Sequence, residues 1–329
     1  RDRSVSRGLG DVYKRQVIVV TGTNGKTTSC RILEEGLKKA GKSYFINKSG
    51  ANLITGVTAS FIMNSTVTGK CKKDYAIIEC DENAFKEVSR YIHCDVILVT
   101  NVFRDQLDRY GEVTHTLNAI KESVKNLPNA IVCLDADCSL TYSMSKEIPN
   151  KIITFGVNVP FDKNAKAPEI SDAKYCIFCK HEYDYTYHTY GHLGGFVCNN
   201  CGYKRPQPDF AVESVEEMKN DHSVVVANLN GDRNIIKVNI GGAYNIYNAI
   251  GCAAALTALG IEQKNIIDAI ENFNGAFGRM EHFKAGNNTV NLILVKNPAG
   301  FSQTMNFLKS IDDDFTLILS LNDLSLIHI

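Results

Sequence analysis

The sequence predicts an α/β fold, a parallel sheet wrapped by helices, on three observations. Short β-branched runs alternate with amphipathic stretches over residues 17–155. The first run, VIVV at 17–20, opens into TGTNGKTT, a glycine-bearing turn followed by a lysine and two threonines. The 329 residues allow roughly two domains at about 150 residues each. Such alternation is the pattern of parallel strands joined by crossover helices.

In chain order, Val17 to Val20 read as a buried strand, and Cys30, Leu33, Leu37 and Ala40 recur at helical spacing, with Gly41 at the C-cap. YAIIEC (75–80), DVILVT (95–100), AIVCL (130–134) and KIITF (151–155) read as further strands, and 111–126 as an amphipathic helix. The alternation breaks over 172–210. GGAYNIYNAIGCAAALTALG then starts a helix after a glycine pair, and FNGAFGRMEHF sets Arg279 in a glycine-flanked turn at a domain boundary. A second α/β unit begins at NLILVKNPAGF.

The two ends read as foreign to this pattern. RDRSVSRGLGDVYKRQ has no hydrophobic period and LSLIHI follows a strand-like FTLILS; both resemble translated sequencing-adapter read-through, with a basic tail and a short strand as the alternatives. The expected division is a non-native tail at 1–16, a first α/β domain at 17–276 with an insertion at about 172–210, the start of a C-terminal domain at 277–323, and a non-native end at 324–329.

A strand running through a glycine turn into a helix N-terminus presents free N–H groups and the positive end of the helix dipole to a phosphate. Gly22 and Gly25 let the backbone come close, Lys26 would reach the β/γ-phosphates, and the Thr27 hydroxyl would ligate Mg²⁺. The general phosphate-loop pattern has glycine where Val20 stands. In parallel sheets ligands sit at the carboxyl ends of strands, so the acids just after each strand matter. Glu79, Asp81 and Glu82 follow one strand; Asn101, Asp105 and Asp108 follow another. Taken singly these read as helix caps or solvated acids. Glu79 is the exception, because a bare charge ending a buried strand needs a partner, and Mg²⁺ takes one or two carboxylates beside substrate phosphates.

Cys176-x₂-Cys179 and Cys198-x₂-Cys201, eighteen residues apart, read as a four-cysteine structural zinc ribbon: two knuckles supply four thiolates and close a tetrahedral shell. Its aromatic, glycine-rich filling is expected to form little core, so that metal supplies folding free energy. His181, His188 and His192 could replace a cysteine but read as solvated loop residues. Cys30, Cys80 and Cys252 read as small core residues. Eleven cysteines without a disulfide framework fit a reducing cytoplasm.

Lys+Arg and Asp+Glu are equal at 36 each, and residues 172–210 hold four of each sign, so the basic footprint of a nucleic-acid binder is missing. No apolar run reaches the about 18 residues of a membrane span. Asn245 and Asn248 at the start of the Ala-rich helix suit an adenine edge and a helix cap equally.

TGTNGKTT (21–28), TNVFRDQLDRYG (100–111), the Asn245/Asn248 helix and GRMEHF (278–283) resemble, in that order, the ATP-binding motifs of the Mur ligases, which with folylpolyglutamate synthases activate a carboxylate by phosphorylation and couple it to an amine. The four-cysteine insertion, FRDQLDRYGE and KNPAGF resemble the amidating branch of that family more closely, over essentially all of 17–323. Gln106 and Tyr244 stand where ordinary Mur ligases have histidine, and most of those lack the ribbon.

The resemblance implies an ATP-dependent carbon–nitrogen ligase of peptidoglycan biosynthesis. ATP would lie on Thr23, Asn24, Gly25, Lys26, Thr27 and Thr28, with Asn245, Asn248 and Arg279 completing its site. Mg²⁺ would sit on Thr27 and Glu79, and Lys26 and Glu79 would be the catalytic residues. The γ-phosphoryl group would pass to the α-carboxylate of D-glutamate in lipid II, and ammonia from a GatD-type glutamine amidotransferase subunit would convert it to D-isoglutamine, at the inner face of the membrane. It further implies that an acceptor-binding segment and most of the C-terminal domain lie outside this chain; SLND (320–323) would open a motif whose continuation carries an aspartate for the partner's site. Another amide-forming ligase of the family, a zinc-ribbon nucleic-acid ATPase and a non-catalytic nucleotide-binding scaffold are the competing readings.

Overall fold

The computed structural model describes residues 16–47, 50–104, 112–161, 172–219, 221–273, 279–286, 288–295, 300–301, 304–305, 308 and 315–320. Expectations for 1–15, Asp105, Gln106, Asp108, KNPA (296–299) and most of SLND lie outside these residues.

The strands expected over 17–155 form, each within two residues of its expected bounds. They are β1 (Gln16–Thr21), β3 (Tyr75–Glu79), β4 (Val96–Val99), β5 (Ile131–Asp135) and β6 (Ile152–Val157), with a short β2 (Tyr44–Ile46) beside β3. A further pair, β7 (Asp184–His188) and β8 (Gly194–Val197), makes a small antiparallel sheet in the insertion. After it come β9 (Phe210–Met218), β10 (Ser223–Leu229) and β11 (Asp232–Val238). The main sheet has nine strands in the order β11-β10-β9-β6-β5-β4-β1-β3-β2. From β2 to β9 the pairs are parallel; β10 and β11 are antiparallel, so the sheet is mixed rather than all parallel. The antiparallel edge is a hairpin turning on Asn230 (φ 56°) and Gly231 (φ 107°), the two consecutive left-handed residues such a tight turn needs.

The strands next to the phosphate loop are fully apolar inside. Ile18, Val19 and Val20 of β1, Ile77 and Ile78 of β3, and Ile97 and Val99 of β4 have no exposed surface, as expected where helices cover both faces. Those helices are α1 (Lys26–Lys39), α2 (Ile54–Met63), α3 (Glu82–Val88), α4 (Glu112–Lys125), a short α5 (Ser139–Ser143), α6 (Ala243–Ala258) and α7 (Gln263–Glu271). α1 ends at Ala40, and Gly41 follows in the left-handed conformation (φ 66°) that closes a helix. α1 and α6 touch closely at Gly36, where an added Cβ would lie 2.5 Å from Leu256 Cδ1.

The expected turn at Arg279 is a strand instead. β12 (Arg279–Ala285) pairs antiparallel with β13 (Asn288–Ile293), and the reversal falls at Gly286 (φ 63°). Gly278, which suggested the turn, lies outside the described residues.

Candidate functional site

β1 delivers the chain to Thr21 at the carboxyl edge of the sheet, and residues 22–25 turn it into α1. The turn requires its glycines. Gly22 has φ 120°, and an added Cβ would strike Thr100 Oγ1 and lie 2.7 Å from the Asn101 carbonyl. Gly25, the N-cap of α1, has φ 86°, and a Cβ there would strike the amide of Asn248. Gly25 offers no side-chain cap, so the first N–H groups of α1 stay available to an anion.

The segment after β4 clamps this loop. Asn24 N donates to Asn101 Oδ1 (3.0 Å), and Asn101 Nδ2 donates back to Asn24 O (3.2 Å). Thr23 N donates to Asn101 O (2.9 Å). The Thr23 hydroxyl donates to Phe103 O (3.1 Å) and accepts from Phe103 N (3.0 Å). Asn101 therefore spends its amide on the loop backbone.

The Thr27 hydroxyl donates to Glu79 Oε1 (3.1 Å), joining two residues expected to hold one ion; both are buried. Asn47 braces Glu79 from behind, donating to its carbonyl (2.8 Å) and accepting from its N–H (2.8 Å). Two hard oxygen donors at a strand end beside a phosphate loop suit Mg²⁺. Asp81 caps α3 by accepting from Asn83 N and Ala84 N, as its cap reading expects. Glu82, read as a cap or solvated acid, does neither. Its Oε1 lies 2.8 Å from Lys26 Nζ, with both side chains under 15% exposed. Burial raises the Glu82 carboxyl above its usual range and Lys26 opposes the rise. Lys26 also donates to Gly22 O (2.5 Å), so the lysine spans the loop mouth with an anion at hand.

On the far side of the loop, Asn245 and Asn248 open α6. The cap reading is set aside: Gly242 is the N-cap, Asn245 Nδ2 donates to Gly241 O (2.6 Å), and Asn248 Nδ2 donates to Asn245 Oδ1 (3.0 Å). Thr28 is buried on α1. Arg279 opens β12, and its side chain lies outside the described set.

In the insertion, the Sγ atoms of Cys176, Cys179, Cys198 and Cys201 all lie within 4.8 Å of one another. Cys176 and Cys201 are 3.6 Å apart, Cys179 and Cys198 3.4 Å. Contact with the Asn200 side chain, joined by the His181 backbone, pulls the Cys179 thiol down to about 6. The filling is more of a core than expected: Tyr183, Phe196 and Tyr203 pack on Cys176 and Cys198. His192 is not solvated. It is 1% exposed, 4.4 Å from the Phe103 ring centroid, and its Nε2 meets Cys138 Sγ at 3.3 Å; burial pushes its imidazole down to about 4. Cys80 is a core thiol pushed up to about 12 by burial, and Cys30 and Cys252 are likewise raised.

Sequence reasoning missed the seat of this insertion. Asp137, fully buried just past β5, accepts from Arg205 Nε (2.5 Å), Tyr247 Oη (2.5 Å) and Val157 N (2.8 Å), while its carbonyl accepts from Gly194 N (3.1 Å). Tyr203 Oη donates to Ser139 O (2.7 Å) and Tyr187 Oη to Val157 O (2.7 Å). The available signal was an acid pair, Asp135 and Asp137, at a strand's carboxyl end.

A glycine turn entering a helix N-terminus, with its threonine on a strand-end glutamate and an asparagine-bearing helix beside it, suits the phosphates of a nucleotide. A family profile described as the Mur ligase middle domain matches residues 20–201, and the chain belongs to the Mur ligase family. Among its relatives is the MurT subunit of lipid II isoglutaminyl synthase (glutamine-hydrolysing) from Streptococcus pneumoniae, 34% identical over 98% of this chain and 70% of the relative. The MurT subunit of Staphylococcus aureus strain N315 is 30% identical, again over 98% of this chain and 70% of the relative. In fold, a pseudomurein peptide ligase type C from Methanothermus fervidus superposes with a TM-score of 0.71 at 24% identity, over 89% of this chain and 56% of that one. The chain thus spans little more than half of that solved ligase.

Proposed function

We propose that the chain is the ligase component of a lipid II isoglutaminyl synthase: it phosphorylates the α-carboxylate of D-glutamate in the stem peptide from ATP and directs ammonia onto the activated carbonyl. The carboxylate oxygen attacks the γ-phosphorus and ADP leaves. Ammonia nitrogen then attacks the acyl carbon, phosphate leaves, and loss of a proton gives the amide of D-isoglutamine. The relative at 34% identity, whose name states this amidation, carries the reading. The loop geometry supports its ATP half.

Phosphoryl transfer asks mainly for positioning and charge neutralisation. The N–H groups at the start of α1 and Lys26 would hold the β/γ-phosphates, with Thr23 and Asn24 fixed by the segment after β4. Thr27 and Glu79 would hold Mg²⁺, which when bound neutralises charge on the phosphates. Asn245 and Asn248 would face the base, and Arg279 would complete the site. The four thiols fit Zn²⁺ as a structural ion: sulfurs about 2.3 Å from a tetrahedral centre stand about 3.8 Å apart, close to the 3.6 Å and 3.4 Å found here. A GatD-type glutaminase would be the ammonia-supplying partner, in the cytoplasm.

The test uses the full-length protein with lipid II, ATP, Mg²⁺ and ammonium, read by mass spectrometry of the stem peptide. Exchange of hydroxyl for amine is expected, and Lys26→Ala should lose it. In a parallel reaction that also holds amino acids, addition of an amino acid to the stem peptide in place of ammonia would overturn the reading in favour of an ordinary amino-acid-adding ligase.

A further inference from the structure

The tip of the β7–β8 hairpin, Thr189 to His192, lies between the two cysteine pairs in sequence and against the nucleotide site in space. On one side it meets Phe103. The Tyr190 ring stacks on Phe103 at 5.8 Å and 12°, His192 tilts against it at 4.4 Å, and an added Cβ on Gly191 would lie 2.7 Å from Phe103 Cε1. Phe103 is 2% exposed, and its backbone N and O hold both ends of the Thr23 hydroxyl's hydrogen bonding. On the other side the tip meets α6. Tyr190 packs edge-on against Tyr247 at 5.4 Å, and Thr189 Oγ1 lies 2.8 Å from Tyr247 Oη. Tyr247 stands one residue before Asn248, whose amide rests on Gly25.

We infer that Tyr190 and Thr189 are positioning residues for the nucleotide: the hairpin tip is a wedge that sets the spacing between the Thr23–Gly25 loop and the opening of α6. The inference rests on the ATP-site reading above. The physical reason is that neither wall is fixed by its own element alone. Phe103 belongs to the irregular segment after β4, and the first turn of α6 has no side-chain cap. A ring inserted between them, locked by two aromatic contacts and one hydroxyl pair, adds to the direct Gly25–Asn248 contact and the Tyr247–Asp137 hydrogen bond in fixing their separation. The insertion then acts on the ligase without touching substrate.

Equilibrium binding of a fluorescent ATP analogue with Mg²⁺ tests this, with melting temperature and zinc content measured on every sample. Tyr190→Leu removes the ring and should weaken nucleotide binding about tenfold, the loss of about one hydrogen bond to a charged phosphate. Tyr190→Phe keeps the ring and should restore wild-type affinity. Thr189→Val, matched in shape, removes the hydroxyl's contacts with Tyr247 Oη and with the Leu193 carbonyl and should give a smaller loss in the same direction. Phe196→Leu, in the aromatic core of the insertion, is the stability control and should lower the melting temperature without changing affinity. If Tyr190→Leu and Thr189→Val both bind nucleotide as wild type does, or if affinity simply tracks melting temperature across all four variants, the wedge is refuted. If wild type itself binds no nucleotide, the ATP-site reading fails instead.

Discussion

Replacing Asp137 by alanine should loosen the cysteine-bearing insertion from the sheet while leaving the phosphate-loop strands folded. Asp137 is wholly buried, and its carboxylate holds Arg205 from the insertion, Tyr247 from α6 and the backbone of β6 together. Removing one partner of a buried ion pair leaves an uncompensated charge and costs about 3–5 kcal/mol. Arg205 would keep Asn158 Oδ1 (2.9 Å) and the Val157 carbonyl (3.2 Å), and its side chain is 11% exposed, which favours the lower figure. At about 2–4 °C per kcal/mol for chains approaching this size, melting should fall on the order of 10 °C. Asp137→Asn keeps the acceptor for Val157 N and should cost less. Asp137→Asn with Arg205→Met should cost less than Asp137→Ala alone, because no lone charge then stays buried. Thermal unfolding gives the totals, and hydrogen exchange gives the place. Protection should be lost first over 184–205 and last over β1 and β4. An unchanged melting temperature, or protection lost evenly across the sheet, would refute the assignment of Asp137 as the seat of the insertion.

Lys26→Ala should lower ATP turnover by on the order of 10²-fold or more, the cost of deleting one charge aimed at the reacting phosphates. It should also cost about 1–3 kcal/mol of stability by stranding buried Glu82, which Glu82→Gln should largely return. The protein should contain zinc on Cys176, Cys179, Cys198 and Cys201, and chelation should expose 172–210 to exchange before the sheet; freely titrating thiols in metal-free purified protein would refute this. Asp135 has Oδ2 buried without a hydrogen-bond partner, and its carboxyl is raised well above the usual range by burial and then by Asp137. The folded state thus binds the proton more tightly than the unfolded chain, whose aspartates titrate near about 3.9. Stability falls as pH rises from there to the raised value and is flat beyond it. Asp135→Asn should flatten that slope, as read from unfolding midpoints across pH; an unchanged slope would count against a proton held there.

The parts of the fold legible in the sequence are those whose physics is local. Val17–Val20 with Gly22, Gly25 and Lys26 encode strand, turn and helix within ten residues, and each cysteine knuckle is four residues long. The antiparallel edge carries an equally local signal, the Asn230–Gly231 turn, although the strands expected for the ATP-binding domain stop at 155. What was not legible is partnership across distance. Glu79 and Glu82 are neighbours in sequence, and only the register of β1 against β3 decides that one meets Thr27 and the other Lys26. His192 sits in a polar, glycine-rich stretch that reads as solvated, and becomes buried because Phe103, 89 residues earlier, presents a ring to it.

The same distinction separates the two halves of the site. The phosphate half is written in one stretch, so its glycines and lysine announce a nucleotide within a few residues of one another. The half that holds this stretch in shape is dispersed: Asn101 from the segment after β4, Asn47 after β2, Asn248 from α6 and Phe103 beneath the hairpin tip. Three of these four are asparagines, whose amides bond backbone or, for Asn248, the amide of Asn245. A short amide bonding two ways at fixed geometry suits a loop that must stay open to phosphate, because it stabilises the backbone without adding charge that would compete with the ligand. Asparagine is also a common turn and cap residue, so its sequence signal is the weakest where its structural role is the most specific.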